Sequence, residues 1–100
     1  MIKPEATLGE LIAAFQLRRR ASPEAFNEGV RLSDTGAVDI IDQTERYARA
    51  EVLDAVLETV TVRAERGAIA GDCSCVAGTS AICRHQVAAA HALWNLPSAY

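Results

Sequence analysis

The sequence predicts an α+β domain with helices at the N-terminus, a small antiparallel sheet in the middle and a C-terminal helix. Helical spacing of apolar residues near the N-terminus, alternating apolar and polar residues in the middle, and an alanine-rich segment near the end support this. The length of 100 residues suits one compact domain over 1–100. Within it we expect a helical segment over 7–28, antiparallel strands over 29–65, and a cysteine-rich corner with the last helix over 67–96.

The first predicted helix begins at Thr7, because Thr7 and Glu10 form the T-x-x-E pattern of a capping box. The apolar residues that follow share one helix face: Leu8, Leu11, Ile12 and Phe15. The helix ends in three cations, Arg18, Arg19 and Arg20. They either complement the negative end of the helix dipole in water or contact phosphate, and so short a run favours the first interpretation.

A second, short helix is predicted from Ser22, an N-cap residue followed by Pro23, to about Glu28. After it, "GVRL" and "AVDII" flank "SDTG", whose residues favour turns. We therefore expect a hairpin between strands at 30–32 and 37–41.

The segment "VLETVTVRAE" alternates clearly, with Val60 and Val62 on one face and Thr59, Thr61 and Arg63 on the other. The segment before it, "ERYARAEVLDAVL", is compatible with a helix, but we predict a strand that pairs with its successor. The segment "RHQVAAAHALWNL" is rich in alanine and precedes a proline, so it predicts the last helix.

The composition is that of a globular protein, with 50% hydrophobic and 23% charged residues. A net charge of −3 argues against a chain that coats nucleic acid by bulk charge, although a local basic face is compatible with it. The N-terminal stretch lacks the apolar core of a signal peptide, which favours a cytoplasmic location and no membrane partner. In that reducing setting, neighbouring cysteines more often bind metal or perform redox chemistry than form disulfides.

All three cysteines and one of the two histidines lie within "CSCVAGTSAICRH", in the order C-x-C, seven residues, C-x-H. Three thiolates and an imidazole form a common closed tetrahedral shell for structural zinc. Residues i and i+2 of an extended strand point to the same side, so each pair can supply two donors to one ion. The predicted ligands of a single structural Zn²⁺ are Cys73, Cys75, Cys83 and His85. They leave no open coordination position for catalysis.

Other uses of these side chains fit the spacing less well. A disulfide would leave one cysteine over, and a ring between Cys73 and Cys75 is strained. A Cys/His nucleophilic site lacks an evident orienting acid or oxyanion hole, and a redox C-x-C pair leaves Cys83 and His85 unexplained. We therefore expect no enzymatic activity and no small-molecule substrate.

Three residues near the predicted ligands also bear on the site. Gly71 permits a close approach of the chain just before the first ligand. Arg84 either offsets the negative charge of the thiolates through hydrogen bonds or faces a partner, and the sequence leaves both open. His91 lies about 240° around the helix from His85, so a structural role is expected for it.

The motif C-x-C, a short spacer and C-x-H, preceded by strands and followed by a helix, resembles the SWIM zinc finger, a β-β-α metal-binding module. The upstream segments "FNEGVRLSDTGAVDII" and "TVTVRAERGAIAGDCSC" are also similar to bacterial SWIM proteins, so the resemblance covers about residues 26–94. It implies that the four predicted ligands bind zinc. Many members have proline after C-x-C and lysine before the histidine, where this chain has Val76 and Arg84.

Members of that family occur in transposases, bacterial helicase-like ATPases and partners of recombinase paralogues, and the module is thought to bind DNA or proteins. The chain has no G-x-x-x-x-G-K-[ST] segment, so we expect no ATPase. The resemblance implies an accessory factor that binds nucleic acid, or an adaptor in a DNA-processing complex without nucleic-acid contact. The candidate contact residues for nucleic acid or a partner are Arg18, Arg19, Arg20, Arg63, Arg66 and Arg84.

Overall fold

The structure, a computed structural model, describes residues 6–13, 16–75 and 82–94. Helices and strands follow one another in the order α1 (Leu8–Ala13), α2 (Gln16–Arg20), α3 (Pro23–Asp34), β1 (Val38–Gln43), β2 (Tyr47–Asp54), β3 (Val56–Glu65), β4 (Ala68–Cys73) and α4 (Arg84–Trp94). The predicted α+β class is confirmed, including the strand at 47–54 and the alanine-rich last helix. Among the described residues, no helix is both long and apolar enough to cross a membrane.

The sheet is an antiparallel meander in the order β1-β2-β3-β4, so every strand pairs with its neighbour in sequence. In the central pair, Tyr47 lies opposite Arg63 and Asp54 lies opposite Val56. The β3–β4 pair is in register from Glu65 opposite Ala68 to Val60 opposite Cys73. The last residue of β4 therefore lies at the opposite end of that pair from the β3–β4 turn.

One face of the sheet packs against the helices, and its side chains are small. Val60 and Val62 are buried on this face, as the alternation predicted, together with Ala48, Ala50 and Val52 of β2. The first turns of α4 contribute Val87, Ala88, Ala89 and Ala90, which are all buried between α3 and the sheet, with Val87 on the side of α3. Small residues on both sides allow α4 to lie close to the sheet.

Both predicted helix caps are present. The Thr7 backbone N–H donates to Glu10 Oε1 at 3.0 Å, and the Glu10 N–H donates to Thr7 Oγ1 at 3.2 Å, which completes a capping box. Ser22 Oγ accepts from the Ala25 N–H at 3.1 Å, with Pro23 as the first helical residue. The predicted single first helix corresponds to α1 and α2, on either side of residues 14–15. Phe15 of the predicted first helix, Val76 after C-x-C and Pro97 after the last helix lie outside the described residues.

The predicted hairpin between 30–32 and 37–41 is wrong, because α3 continues to Asp34 and the sheet begins only at Val38. Residues 29–34 of the expected strand region are therefore helical. Gly29 and Leu32 are three residues apart on the buried face of α3, where a Cβ on Gly29 would lie 2.5 Å from Val87 Cβ. This close contact with α4 stabilises the helix.

The "SDTG" segment ends this helix instead of turning a hairpin. The Thr35 hydroxyl donates to the Arg31 carbonyl at 2.9 Å, and Gly36 has a φ of 79°. A glycine in the left-handed region just past the last turn is a common helix ending. The next strand, β1, pairs with β2 and not with an earlier segment.

Candidate metal centre

The four predicted ligands converge at the end of the sheet where β4 stops and α4 begins. Cys73 is the last residue of β4 and Cys75 follows two positions later, while Cys83 immediately precedes α4 and His85 lies in its first turn. One donor atom from each of these residues lies within 4.8 Å of the other three. In a tetrahedral zinc site the sulfur atoms are about 3.8 Å apart, so a small contraction would bring all four into bonding distance. The three thiols form no disulfide.

The His85 ring is held in one orientation by its two nitrogen atoms. Nδ1 lies 3.4 Å from Cys73 Sγ and therefore faces the cluster, while Nε2 lies 2.9 Å from Asp54 Oδ2. Because an ionised carboxylate only accepts hydrogen bonds, Nε2 carries the proton and Nδ1 presents its lone pair to the cluster. The ring is almost fully buried. A histidine that donates its other N–H to a carboxylate is the usual arrangement of a metal ligand.

Asp54, the last residue of β2, was not predicted from the sequence. Its Oδ2 also accepts from Arg84 Nε at 2.7 Å, so one carboxylate oxygen joins two consecutive residues of α4 to the β2–β3 hairpin. Hydrogen bonds from His85 and then from Arg84 hold the pKa of the Asp54 carboxyl below its usual range. Arg84 thus supports the candidate ligand His85 through Asp54.

The thiols lie in surroundings that disfavour free thiolates. Burial raises the pKa of Cys73 to about 12, and burial also raises the pKa of Cys83. Negative charge on the neighbouring sulfurs also raises both pKa values, since thiolates in one site repel one another, although a hydrogen bond with Cys73 lowers the pKa of Cys83. Cys73 and Cys83 are therefore protonated at neutral pH unless a cation is present to compensate the negative charge of their thiolates. A divalent metal that prefers sulfur and imidazole donors supplies that compensation.

Backbone interactions fix the two chain segments that carry the ligands. The Cys83 N–H donates to Gln86 Oε1 at 3.0 Å, and the Val87 N–H bonds to the Cys83 carbonyl, so Cys83 is the N-cap of α4. A Cβ on Gly71 would lie 2.3 Å from the Thr61 carbonyl oxygen, so only glycine fits two residues before Cys73. This confirms the close approach expected at Gly71.

An open cleft of about 430 Å³ lies beside the centre, between it and the start of α3. Cys75 and Cys83 line it on one side, and Glu24 and Glu28 line it on the other. Two of the three thiols are thus reachable from solvent through a cleft with acidic side chains. His91 takes no part in the cluster: its Nδ1 lies 3.3 Å from Ser33 Oγ of α3, in keeping with a structural role.

The candidate contact arginines do not form one set. The Arg20 guanidinium donates to the Ile69 carbonyl, which attaches α2 to the end of the sheet at the β3–β4 turn. Arg63 and Arg66 lie at this same end, whereas Arg84 lies at the metal centre. Arg46, which was not predicted, also belongs to the turn end, since its Nη2 donates to the Ala64 carbonyl at 3.1 Å.

We call this surface the basic end and define it by Arg20, Arg46, Arg63 and Arg66, together with Arg18 and Arg19, which precede Arg20 in the short helix α2. Some of its cations already have acidic or aromatic neighbours. Arg63 forms ion pairs with Glu65 at 2.7 Å and Asp72 at 3.0 Å, and the Arg18 guanidinium lies 5.1 Å from the centre of the Phe26 ring.

Comparison of the chain with protein-family models, with curated proteins and with solved structures finds no match. The structure itself shows a Cys₃His cluster that could hold a metal ion, with its histidine oriented by a carboxylate.

Proposed function

We propose that the chain is a SWIM-type zinc-binding module in which one structural Zn²⁺ joins β4 to α4, and that it binds nucleic acid, DNA in the first place, as an accessory factor. The observation that carries the zinc proposal is the convergence of three sulfurs and His85 Nδ1, with Nε2 bonded to Asp54. Sulfur donors disfavour calcium and magnesium, and four protein ligands fill the tetrahedral shell of zinc. The order β3, β4, α4 around the cluster is compatible with a β-β-α module.

The nucleic-acid proposal is supported by the distribution of charge. The net charge of the chain is −3, yet Arg20, Arg46, Arg63 and Arg66 lie at one end of the sheet, and Arg18 and Arg19 precede Arg20 in α2. One guanidinium group can donate hydrogen bonds to two oxygens of the same phosphate. A local basic face is therefore enough for phosphate contacts. Arg84 is not part of this surface, because it is bonded to Asp54 at the other end of the sheet.

Metal analysis of the purified full-length protein tests the zinc proposal. We expect one equivalent of zinc in the wild type. The variant Cys75→Ser should lose both the zinc and the folded structure. His91→Gln is the matched control, since His91 lies on the same helix as His85 but outside the cluster, and it should retain zinc. A folded protein that neither contains nor takes up zinc would overturn the proposal.

Fluorescence anisotropy with labelled duplex DNA, single-stranded DNA and RNA tests nucleic-acid binding. We expect affinity that falls steeply with salt, and a loss of at least about tenfold in the double variant Arg18→Gln/Arg19→Gln. Arg31→Gln is the control, because Arg31 is an exposed arginine of α3 outside the basic end. If the zinc-loaded protein binds no probe at low salt, the protein-interaction adaptor becomes the better proposal.

A further inference from the structure

The tip of the β2–β3 hairpin is apolar and exposed. Leu53, Val56 and Leu57 are 59%, 61% and 57% exposed, the largest exposures among the large hydrophobic residues that the structure describes. Leu53 lies directly opposite Leu57, so their side chains are neighbours on the outer face of the sheet, and Val56 adjoins Leu57 at the turn with its side chain on the other face. We call these three residues the apolar tip. Exposed aliphatic residues gathered in one place usually mark a contact surface.

The backbone of the turn is also unusual for a free hairpin. Ala55 alone separates the paired residues Asp54 and Val56, and its φ is 66°, in the left-handed region. A hairpin turn normally places glycine, asparagine or aspartate there, because a Cβ is disfavoured at positive φ. The sequence at the tip therefore favours neither a stable turn nor a soluble surface. Such a combination is typical of a segment with a role in binding.

The metal centre fixes the position of this tip. Asp54 separates Leu53 from Ala55 in the turn, and its carboxylate bonds to both His85 and Arg84. A surface held in place in this way has little conformational entropy to lose on binding. The apolar tip is thus a preorganised surface and not a loose loop.

The surroundings of the tip are acidic. Glu51 precedes Leu53 by two residues on the same face and lies opposite Asp39 of β1, while Glu58 follows Leu57. Arg84 is already bonded to Asp54, and Arg49 lies farther along the same face, beyond Glu51, so carboxylates outnumber unpaired cations around the tip. A partner that covers the tip therefore meets unbalanced negative charge at its rim.

We propose that the apolar tip binds a segment of another protein that carries two or three large apolar side chains flanked by lysine or arginine. A second copy of this chain fits less well, because its acidic rim would face the same acidic rim. Three side chains are also far fewer than the roughly 20 residues per side of a stable interface, so the contact suits a short segment.

This surface is separate from the basic end. The two ends of β2, Tyr47 and Asp54, are seven residues apart, or about 23 Å at ~3.3 Å per residue. Arg46 and Arg63 lie at the Tyr47 end and the apolar tip at the Asp54 end. Both surfaces can be occupied at once, and the proposal does not depend on nucleic-acid binding.

The test uses the zinc-loaded full-length protein and a fluorescent 15-residue peptide with a leucine–phenylalanine core and flanking lysines. We expect saturable binding by anisotropy and chemical-shift changes centred on Leu53, Val56 and Leu57. The double variant Leu53→Ser/Leu57→Ser should weaken binding at least tenfold. Ile41→Ser should change it less than twofold, because Ile41 is also exposed but lies in the β1 bulge away from the tip.

Two control peptides separate charge from apolar contact. Replacing the lysines by glutamate, or the apolar core by serine, should each abolish binding. Zinc content and thermal unfolding of every variant establish that it is folded. Val56→Ser is a second tip variant if the double variant does not fold.

Equal binding by the tip variants and the wild type would overturn the proposal, as would no binding of the lysine peptide at millimolar concentration. Sedimentation equilibrium examines the other occupant: a dimer that dissociates in the tip variants would assign the surface to a second copy. Loss of nucleic-acid binding in the arginine variants leaves all of these outcomes unchanged.

Discussion

The two ends of the sheet use arginine in opposite ways. At the metal end, Arg84 is bonded to Asp54 and so contributes to the internal structure of the centre. At the basic end, Arg20 and Arg46 donate to backbone carbonyls of β4 and β3, which attaches neighbouring segments while gathering cations at one place. A net charge of −3 conceals this separation. Position within the fold, more than total charge, decides which surface can meet phosphate.

Removal of zinc should produce the largest difference in stability between the two ends of the sheet. Binding of a structural zinc ion contributes about 10 kcal/mol or more to the folded state, so a chelator should unfold at least the metal end. Hydrogen exchange should show the greatest loss of protection around Cys73 and in the first turn of α4, and less at Tyr47 and Arg63. Equal loss at both ends would show that the sheet and the centre form one cooperative unit and that the two ends do not differ in their dependence on zinc.

Zinc affinity should fall steeply as the pH is lowered. Burial raises the pKa values of Cys73 and Cys83, so these thiols are protonated at neutral pH without metal and must release protons on binding. Release of three thiol protons changes the affinity by up to about a thousandfold per pH unit. Competition with a chromophoric chelator at several pH values measures the slope, and an affinity independent of pH would argue against thiolate ligation.

Asp54→Asn should weaken metal binding by about 10- to 100-fold while leaving the protein folded, since asparagine can still accept a bond from His85 but carries no charge. The same chelator competition measures the loss. Asp34→Asn, an exposed carboxyl at the end of α3, is the control and should bind metal as the wild type does. A normal affinity in Asp54→Asn would show that the carboxylate does not assist the ligand.

Gly71→Ala should lower the free energy of unfolding by about 1–3 kcal/mol, because its Cβ would meet the Thr61 carbonyl oxygen and force β3 and β4 apart. Urea denaturation of the zinc-loaded protein measures the change. Gly36→Ala is an informative comparison: nothing lies within 4 Å of its Cβ, so only its positive φ opposes the substitution. A larger loss in Gly36→Ala would contradict the packing argument.

The smallest expected effect is a gain. Ala55→Gly should raise the free energy of unfolding by up to about 1 kcal/mol, because glycine adopts the left-handed conformation without a Cβ penalty. Urea denaturation detects it, and peptide binding at the apolar tip should stay within twofold of the wild type. Destabilisation by this substitution would mean that the Ala55 side chain itself stabilises the turn.

The ligand cluster could be predicted from the sequence because its four residues lie close together in the chain, as two short pairs of donors separated by seven residues. The strand that carries Val60 and Val62 was equally evident from its alternation. Asp54 was missed because it lies 31 positions from His85, and only the β2–β3 register and the approach of α4 bring the two together. Arg46 was missed for the same reason, since the paired strands decide which end of the sheet it joins.

The extension of α3 illustrates a different limit. The segment "GVRL" has too few residues to distinguish a period of two from one of 3.6. The deciding interaction is the fit of Gly29 against Val87, a contact across 58 positions. Local preference alone therefore favoured a hairpin where tertiary packing produces a helix.

The single carboxylate oxygen of Asp54 also has a thermodynamic consequence. It is covalently adjacent to the apolar tip and hydrogen-bonded to a predicted metal ligand, so a molecule that shifts the tip shifts the support of His85. Linkage requires reciprocity: if the metal changes the affinity of the tip for a partner by some factor, the partner changes metal affinity by that same factor. Metal retention would then report occupancy of a surface that the metal never touches.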